Sequence, residues 1–331
     1  MLEWLSHVVT SSSNCYAGVD LGGTKIAMAL GTSSGKIHAK VTSETHAEQG
    51  PEHVLGTVAE MLHGLESSSG VSARAIGLGL PGLVDPVTGT SLFLPNLPGN
   101  WREVPVSEIL RRRTSRDVSL LNDARMATLG EHVFGQSRVE NLLVFTLGTG
   151  IGGGVVIDGK LRLGRFGAAG EVGHQTLEVD GPRCNCGNRG CLEELAAGPA
   201  LSRRGVELMR EGKAPQLSAL TEGDAGRVNP RRMAEAAQQG DEAVRATIVN
   251  AARLIGTGIA NAITITGIER VVLVGGLTGL GDLLLEEIRA TVRDRIRMFP
   301  SEGIEISFSG LGDEVAVLGG IALAAQRDQH R

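Results

Sequence analysis

Three of the four cysteines in this chain of 331 residues lie within one short segment, and their spacing constrains the local fold more than any other feature. They are Cys184, Cys186 and Cys191, and His174 lies a short distance upstream. Three thiolates and one imidazole complete the closed tetrahedral shell of a structural zinc site. We therefore predict that these four side chains converge on a bound Zn²⁺. Cysteines at this spacing also argue against a disulfide framework.

Composition and charge favour a globular enzyme of two domains. Hydrophobic residues make up 41% of the chain and charged residues 21%, which is typical of a folded protein. The net charge of −5 argues against a broad nucleic-acid surface. Residues 1–14 lack the pattern of a secretory signal, and the apolar runs, such as residues 271–274, are too short to span a bilayer. We expect a cytoplasmic protein with no nucleic-acid or membrane partner.

Glycine-rich loops after predicted strands indicate phosphate binding. The first loop follows a predicted strand at residues 15–20 and contains Gly22, Gly23, Thr24 and Lys25. Two others follow predicted strands at residues 142–147 and 271–274, and they contain Gly148, Thr149 and Gly150, and Gly275 and Gly276. Glycine lets backbone N–H groups approach phosphate oxygens, and Asp20 could hold Mg²⁺. Each loop alone is compatible with an ordinary hairpin, but together they favour a nucleotide held between two domains.

An Asn-Asp pair, Asn122 and Asp123, follows a predicted strand at residues 118–121 and begins a predicted helix at residues 124–134. Asp123 could simply be the helix N-cap. The carboxyl end of a strand is also where open α/β sheets bind ligands, so Asp123 could accept a proton from a hydroxyl that attacks phosphate. Short polar side chains that suit a polyol occur here and elsewhere: Asn96, Asn122, Glu171, His174 and Glu193.

These motifs resemble the ROK family (repressor, open reading frame, kinase) over residues 15–326. The most specific part is the Glu-Val-Gly-His of residues 171–174, followed by the Cys-x-Cys-Gly-x-x-Gly-Cys-Leu-Glu of residues 184–193. The resemblance implies an α/β fold like that of actin, Hsp70 and hexokinase, with a cleft between two domains. It predicts a small N-terminal domain over residues 1–121 and a larger domain over residues 122–312, which carries the zinc site. A C-terminal helix, residues 313–326, is expected to pack back on the small domain.

The resemblance also implies roles for the residues named above. Asp123 matches the catalytic base of the family's kinases, and the glycine loops with Thr24, Lys25 and Thr149 match the ATP site. His174 matches a position that both binds sugar and ligates structural zinc together with the three cysteines. The expected sugar-binding set is Gly82, Asn96, Asn122, Asp123, Glu171, His174 and Glu193. The hypothesis is an ATP-dependent hexose kinase that uses Mg²⁺, acts on glucose at its 6-hydroxyl, and forms a homodimer or higher homo-oligomer.

Several alternatives stay open at this point. An N-acylhexosamine kinase or a fructokinase would carry the same motifs, and polyphosphate could replace ATP as the donor. A sugar-sensing regulator is disfavoured because only residues 1–14 precede the first predicted strand. An actin-like polymer would not need the zinc cluster. Two departures from the family pattern, Arg125 where Asn is usual and the extra residue Asn100, leave the choice of sugar open.

Overall fold

The computed structural model describes residues 14–94, 97–136 and 139–329 of the chain. It has a mixed α/β fold. The first elements are β1 Cys15–Leu21, β2 Lys25–Thr32, β3 Ile37–Glu44, α1 Pro51–Ser69, β4 Ala75–Leu80, β5 Leu83–Asp85, β6 Thr90–Phe93, α2 Val106–Thr114, β7 Asp117–Asn122, α3 Asp123–Phe134 and β8 Leu142–Leu147. The remaining elements are β9 Ile151–Ile157, β10 Lys160–Arg162, α4 Leu192–Ala196, α5 Gly198–Arg210, α6 Pro215–Thr221, α7 Pro230–Gln238, α8 Glu242–Thr266, β11 Arg270–Val274, α9 Asp282–Arg295, β12 Glu305–Phe308 and α10 Val315–Gln329.

The chain forms two compact units, and neither is a single continuous stretch. The first unit comprises Met1–Val144, Gly154–Gly170 and Ser309–Arg331. The second comprises Phe145–Gly153 and Glu171–Phe308. The expected division at residues 121 and 122 stays a prediction.

The central sheet of the first unit has the strand order β3-β2-β1-β4-β7. Strands β1, β4 and β7 are parallel, so their carboxyl ends share one edge of the sheet. Alternate residues of β1 face opposite sides: Tyr16 packs in a cluster with α10, whereas Ala17 and Val19 pack in a larger cluster with α1 and α2. This period of two is what a sheet covered on both faces requires.

Helix α10, whose sequence lies near the end of the chain, packs on β1, β4 and α3 within the first unit. Glycines make this close approach possible. A Cβ added at Gly77 would lie 2.7 Å from the carbonyl carbon of Gly320, and one added at Gly18 would lie 2.9 Å from the Ile321 nitrogen. The helix backbone therefore lies directly against the sheet, and no larger residue fits at these positions.

The second sheet has the strand order β10-β9-β8-β11-β12, and the helices from α4 to α9 belong to the second unit. The apolar pattern of residues 192–212 predicts one continuous helix, but the structure has two helices here. Helix α4 ends at Ala196 and α5 begins at Gly198, and Ala197 between them is extended. Pro199 lies in the first turn of α5, and because proline lacks an N–H it suits a helix start and not a helix interior.

Among the described residues, α8 is the one helix that combines a length sufficient to cross a membrane with a largely apolar sequence. Its 25 residues are long and apolar enough by length and composition, with a mean hydropathy of 1.3 in its most apolar window. Half of that window is buried inside the structure. The helix packs against α4, α5, α7 and α9 through side chains such as Ile255 and Ile259, as a core helix of a globular unit does.

Candidate functional site

The carboxyl edge of the first sheet brings together several residues that the sequence singled out. In the parallel register Asp20 of β1 lies opposite Gly79 of β4, and Asn122 of β7 lies opposite Leu80 of β4. Asp20 and Asn122 therefore end two strands on either side of β4. This edge is where open α/β sheets place their ligands.

Asn122, and not Asp123, is the N-cap of α3. The Asn122 Oδ1 accepts hydrogen bonds from the backbone nitrogens of Ala124 at 3.0 Å and Arg125 at 3.2 Å, as a capping side chain does. Its Nδ2 donates to the Gly82 carbonyl and to Asp123 Oδ1, both at 2.9 Å. Asp123 is the first residue of the helix and also accepts from the Ala124 nitrogen at 2.8 Å. Because two donors hold Oδ1, the Asp123 carboxylate has a fixed orientation.

Arg125 makes contacts at the start of α3 that the sequence did not reveal, although its identity stood out as a departure from the family pattern. Its side chain is 1% exposed, so the guanidinium lies inside the first unit. Nη1 donates to Asn122 Oδ1 at 2.9 Å, and Nε donates to the Ala169 carbonyl at 2.9 Å. A donor on Oδ1 fixes which way the Asn122 amide points, so Arg125 keeps Nδ2 directed at Asp123.

The loop from β1 to β2 carries Asp20 and the first glycine pair. Burial raises the pKa of the Asp20 carboxyl from 3.8 to about 6, although Lys25 nearby acts in the opposite direction. The Gly22 nitrogen donates to the Lys25 carbonyl at 2.9 Å, which closes the turn. Thr45, a residue that sequence reasoning missed, fastens this turn from outside: its Oγ1 donates to the Gly22 carbonyl at 2.7 Å. No motif marked Thr45 in the sequence.

Two further glycine loops lie side by side in the second unit. After β8, the Gly148 nitrogen donates to the Gly150 carbonyl at 2.9 Å, and the Gly152 nitrogen donates to Thr146 Oγ1 at 3.1 Å. Gly275, directly after β11, has a φ of 100°, and a Cβ there would lie 2.6 Å from the Leu147 carbonyl oxygen. The loop at Gly275 and Gly276 therefore lies against the end of β8, beside the loop at Gly148–150.

The four predicted metal ligands converge in the second unit. All four ligand atoms lie within 4.8 Å of one another. Cys184 Sγ is 3.8 Å from His174 Nδ1, and Cys186 Sγ is 3.7 Å from Cys191 Sγ. Tetrahedral bonds of about 2.0 to 2.3 Å to zinc would place such atoms about 3.6 to 3.8 Å apart. The distances and the donor types therefore fit Zn²⁺.

The Cys₃His cluster (His174, Cys184, Cys186 and Cys191) contains two buried thiols, Cys184 and Cys191, and one exposed thiol, Cys186. Burial, followed by the neighbouring thiols of Cys186 and Cys184, raises the pKa of Cys191 to about 12. Without a cation the Cys191 thiol therefore holds its proton, and metal binding would release it. Nε2 of His174 lies 3.8 Å from Glu171 Oε2, which is longer than a direct hydrogen bond.

Glu193 follows the last cysteine in the first turn of α4 and reaches the glycine loop. Its Oε2 accepts a hydrogen bond from the Ile151 nitrogen at 2.9 Å. The sequence predicted a sugar ligand at this position and gave no sign of the contact with the loop. The other predicted sugar ligands in the second unit, Glu171 and His174, lie at the cluster. Asn96 falls outside the described residues.

Comparison with known proteins identifies the family. The ROK family model matches residues 16–327, and the chain belongs to this family. A glucokinase of Thermotoga maritima is 38% identical over 317 residues, which cover 94% of this chain and 97% of that protein. A xylose repressor of Caldicellulosiruptor bescii is 31% identical over 310 residues, which cover 92% of this chain and 77% of that protein.

The solved structures agree with this assignment. A ROK family glucokinase from Streptomyces griseus, crystallised in complex with glucose and AMPPNP, has a TM-score of 0.84 and 32% identity. The match covers 95% of this chain and 100% of that one. The actin- and hexokinase-like fold class predicted from the sequence is therefore confirmed.

Proposed function

We propose that this chain is an ATP-dependent glucokinase, which transfers the γ-phosphoryl group of ATP to the 6-hydroxyl of glucose. The observation that carries the proposal is the arrangement at the carboxyl edge of the first sheet. There the oriented carboxylate of Asp123 directly follows β7, and the glycine loop beside Asp20 directly follows β1; these two strands lie on either side of β4. Similarity to glucokinases over most of the chain supports the choice of reaction and substrate.

In the proposed reaction Asp123 accepts the proton of the 6-hydroxyl while that oxygen attacks the γ-phosphorus of ATP. The new P–O bond forms as the bond to the β,γ-bridging oxygen breaks, and ADP leaves with that electron pair. Phosphoryl transfer has a loose transition state, so positioning and electrostatics supply most of the rate. Proton transfer to a positioned base contributes about 10²- to 10⁴-fold.

The remaining polar groups are assigned to binding. Backbone N–H groups of the three glycine loops, with Thr24, Lys25 and Thr149, would bind the nucleotide phosphates. Sugar hydroxyls would be bound by Gly82, Asn96, Asn122, Glu171, His174 and Glu193. Mg²⁺ near Asp20 would supply positive charge to the phosphate oxygens.

Zn²⁺ held by His174 and the three cysteines is proposed as a structural ion. Four protein ligands leave no open position for substrate, so the ion would contribute folding energy and not chemistry. Thiols placed for metal binding must stay reduced, which supports a cytoplasmic location. A homodimer or higher homo-oligomer stays a prediction that analytical ultracentrifugation would test.

The test is ADP release, coupled to a spectrophotometric readout, across a panel of sugars. We expect the highest kcat/KM with glucose, and weaker turnover with N-acetylglucosamine, N-acetylmannosamine and fructose. A reaction without sugar is the control for ATP hydrolysis. Higher kcat/KM with an N-acylhexosamine would reassign the substrate, and no sugar-dependent ADP with any of them would refute the kinase. Because the family also contains repressors, turnover and not sugar binding is the deciding measurement.

A further inference from the structure

The segment of residues 171–193 carries the metal ligands. It contacts the end of the Gly148–150 loop of the second unit at one residue, Ile151. From one side, Glu193 lies two residues after the ligand Cys191, and its Oε2 accepts the Ile151 N–H at 2.9 Å. The approach is close, because a Cβ added at Gly150 would lie 2.5 Å from the same oxygen. Ile151 directly follows the loop proposed to bind nucleotide phosphates.

From the other side, the turn that presents His174 packs on the same residue. Gly173 precedes this ligand, and a Cβ added there would overlap the Ile151 carbonyl, lying 2.8 Å from its carbon. A third contact comes from the start of α5, where the Gly198 nitrogen donates to the Gly148 carbonyl at 2.9 Å. Residues next to both the histidine and the last cysteine therefore contact the loop.

We propose that Glu193 is a positioning residue for the nucleotide loop, and that nucleotide affinity therefore depends on the folded metal-binding segment. The proposal rests on the proposed function and adds a role for Glu193 beyond sugar binding. A phosphate loop binds through backbone N–H groups whose directions must be fixed before the ligand arrives. A carboxylate that accepts from the loop backbone fixes one peptide plane through a charge-assisted hydrogen bond.

The Glu193 carboxylate has a second oxygen, Oε1, which is separate from the contact with the loop. With Oε2 on the loop, Oε1 can accept from a sugar hydroxyl in the proposed complex. One side chain then serves the sugar through one oxygen and the nucleotide loop through the other. Nucleotide binding measured without sugar isolates the role of the loop contact.

The test measures the Kd of a non-hydrolysable ATP analogue with Mg²⁺, in the absence of sugar, by isothermal titration calorimetry. Glu193→Ala and Glu193→Asp should each weaken binding about tenfold, which corresponds to about 1.4 kcal/mol. Glu193→Gln keeps an oxygen that can accept the Ile151 N–H. Because this hydrogen bond is retained, the Kd of Glu193→Gln should lie within about threefold of that of the parent protein. Glu194→Gln is the matched control, since Glu194 carries the same charge one residue on and pairs with Arg203 instead.

A second measurement addresses the metal-binding segment itself. At a temperature below the Tm of the metal-free protein, removing zinc with a chelator should weaken nucleotide binding and increase amide hydrogen exchange in the peptide covering residues 147–153. If Glu193→Ala does not fold, Glu193→Asp provides the same comparison with the charge retained. A folded Glu193→Ala or Glu193→Asp protein with the parent Kd would overturn the inference and leave the kinase proposal intact. A parent protein that binds no nucleotide would instead refute the proposed function.

Discussion

Replacing Gly319 by alanine tests the packing that positions α3, the helix that begins with Asp123. Gly319 is buried in α10, and an added Cβ would overlap the Met126 carbonyl oxygen, lying 2.7 Å from the carbon of that carbonyl and 3.1 Å from the Gly130 nitrogen. Carbon atoms in contact prefer about 3.5 to 4.0 Å, so α3 and α10 would have to separate by about 1 Å. Both neighbours are backbone atoms, which cannot move aside as a side chain can.

Two opposing effects set the size of the change. Overpacking usually lowers the free energy of unfolding by about 1 to 3 kcal/mol, and we take about 3 kcal/mol because the clash is with backbone atoms. Alanine favours the helix over glycine by about 1 kcal/mol, so the free energy of unfolding should fall by about 2 kcal/mol. At about 2 °C per kcal/mol for a chain of this size, Tm should fall by about 4 °C.

The assay is calorimetric unfolding of Gly319→Ala beside a matched variant, Gly64→Ala. Gly64 also lies inside a helix, α1, but nothing lies within 4 Å of an added Cβ there. The same substitution should therefore stabilise by about 0.5 to 1 kcal/mol at Gly64. Two variants that both raise Tm would refute the reasoning, because the contact with α3 would then cost nothing.

Three further outcomes are expected. Asp123→Asn keeps an acceptor for Asn122 Nδ2 but no proton acceptor, so kcat should fall by about 10²- to 10⁴-fold while the Kd for glucose changes little; a near-normal kcat would exclude Asp123 as the base. The pKa of Asp20 is about 6 in the folded protein, compared with an ordinary value of 3.8. The contribution of this carboxyl to the free energy of unfolding is therefore fully present below about pH 4 and is lost as the pH rises through 6. Without Mg²⁺, Asp20→Asn should therefore be more stable than the parent at pH 7.5, by at most about 3 kcal/mol, with no difference near pH 4; an equal Tm at both pH values would contradict this. Removal of zinc from the Cys₃His cluster by a chelator should lower Tm sharply, since a structural zinc contributes on the order of 10 kcal/mol to folding. If metal analysis confirms that the zinc is gone and Tm is unchanged, a structural ion is excluded.

The sequence predicted best those features that follow from a short motif with a single physical cause. The family and the fold class are confirmed by the comparisons. The Cys₃His convergence also follows from spacing, because Gly187 and Gly190 adopt positive φ angles of 96° and 63° and let the loop turn back on itself. The structure brings the four ligand atoms together, as the spacing predicts, while zinc itself stays a proposal.

Contacts between segments distant in sequence were not predictable. The backbone hydrogen bonds that Thr45 and Glu193 make depend on tertiary approach, and no local periodicity encodes them. The helix break at Ala197 was missed for a different reason, because the apolar pattern continues across it. Pro199 was the available signal, since a proline inside a helical pattern marks a helix start.

Arg125 shows how a departure from a family pattern is understood only through its contacts. A buried guanidinium is costly unless hydrogen bonds satisfy it, and here Asn122 and the Ala169 carbonyl accept two of them. Asn122 in turn contacts Asp123, so Arg125 places a positive charge in direct contact with the hydrogen-bond partner of the candidate base. Ala169 lies two residues before Glu171 in the chain, so the same side chain fixes both the start of α3 and the segment leading to a proposed sugar ligand. The Arg125 guanidinium therefore adds a third donor to Asn122 Oδ1, beside the Ala124 and Arg125 backbone nitrogens that already orient this amide.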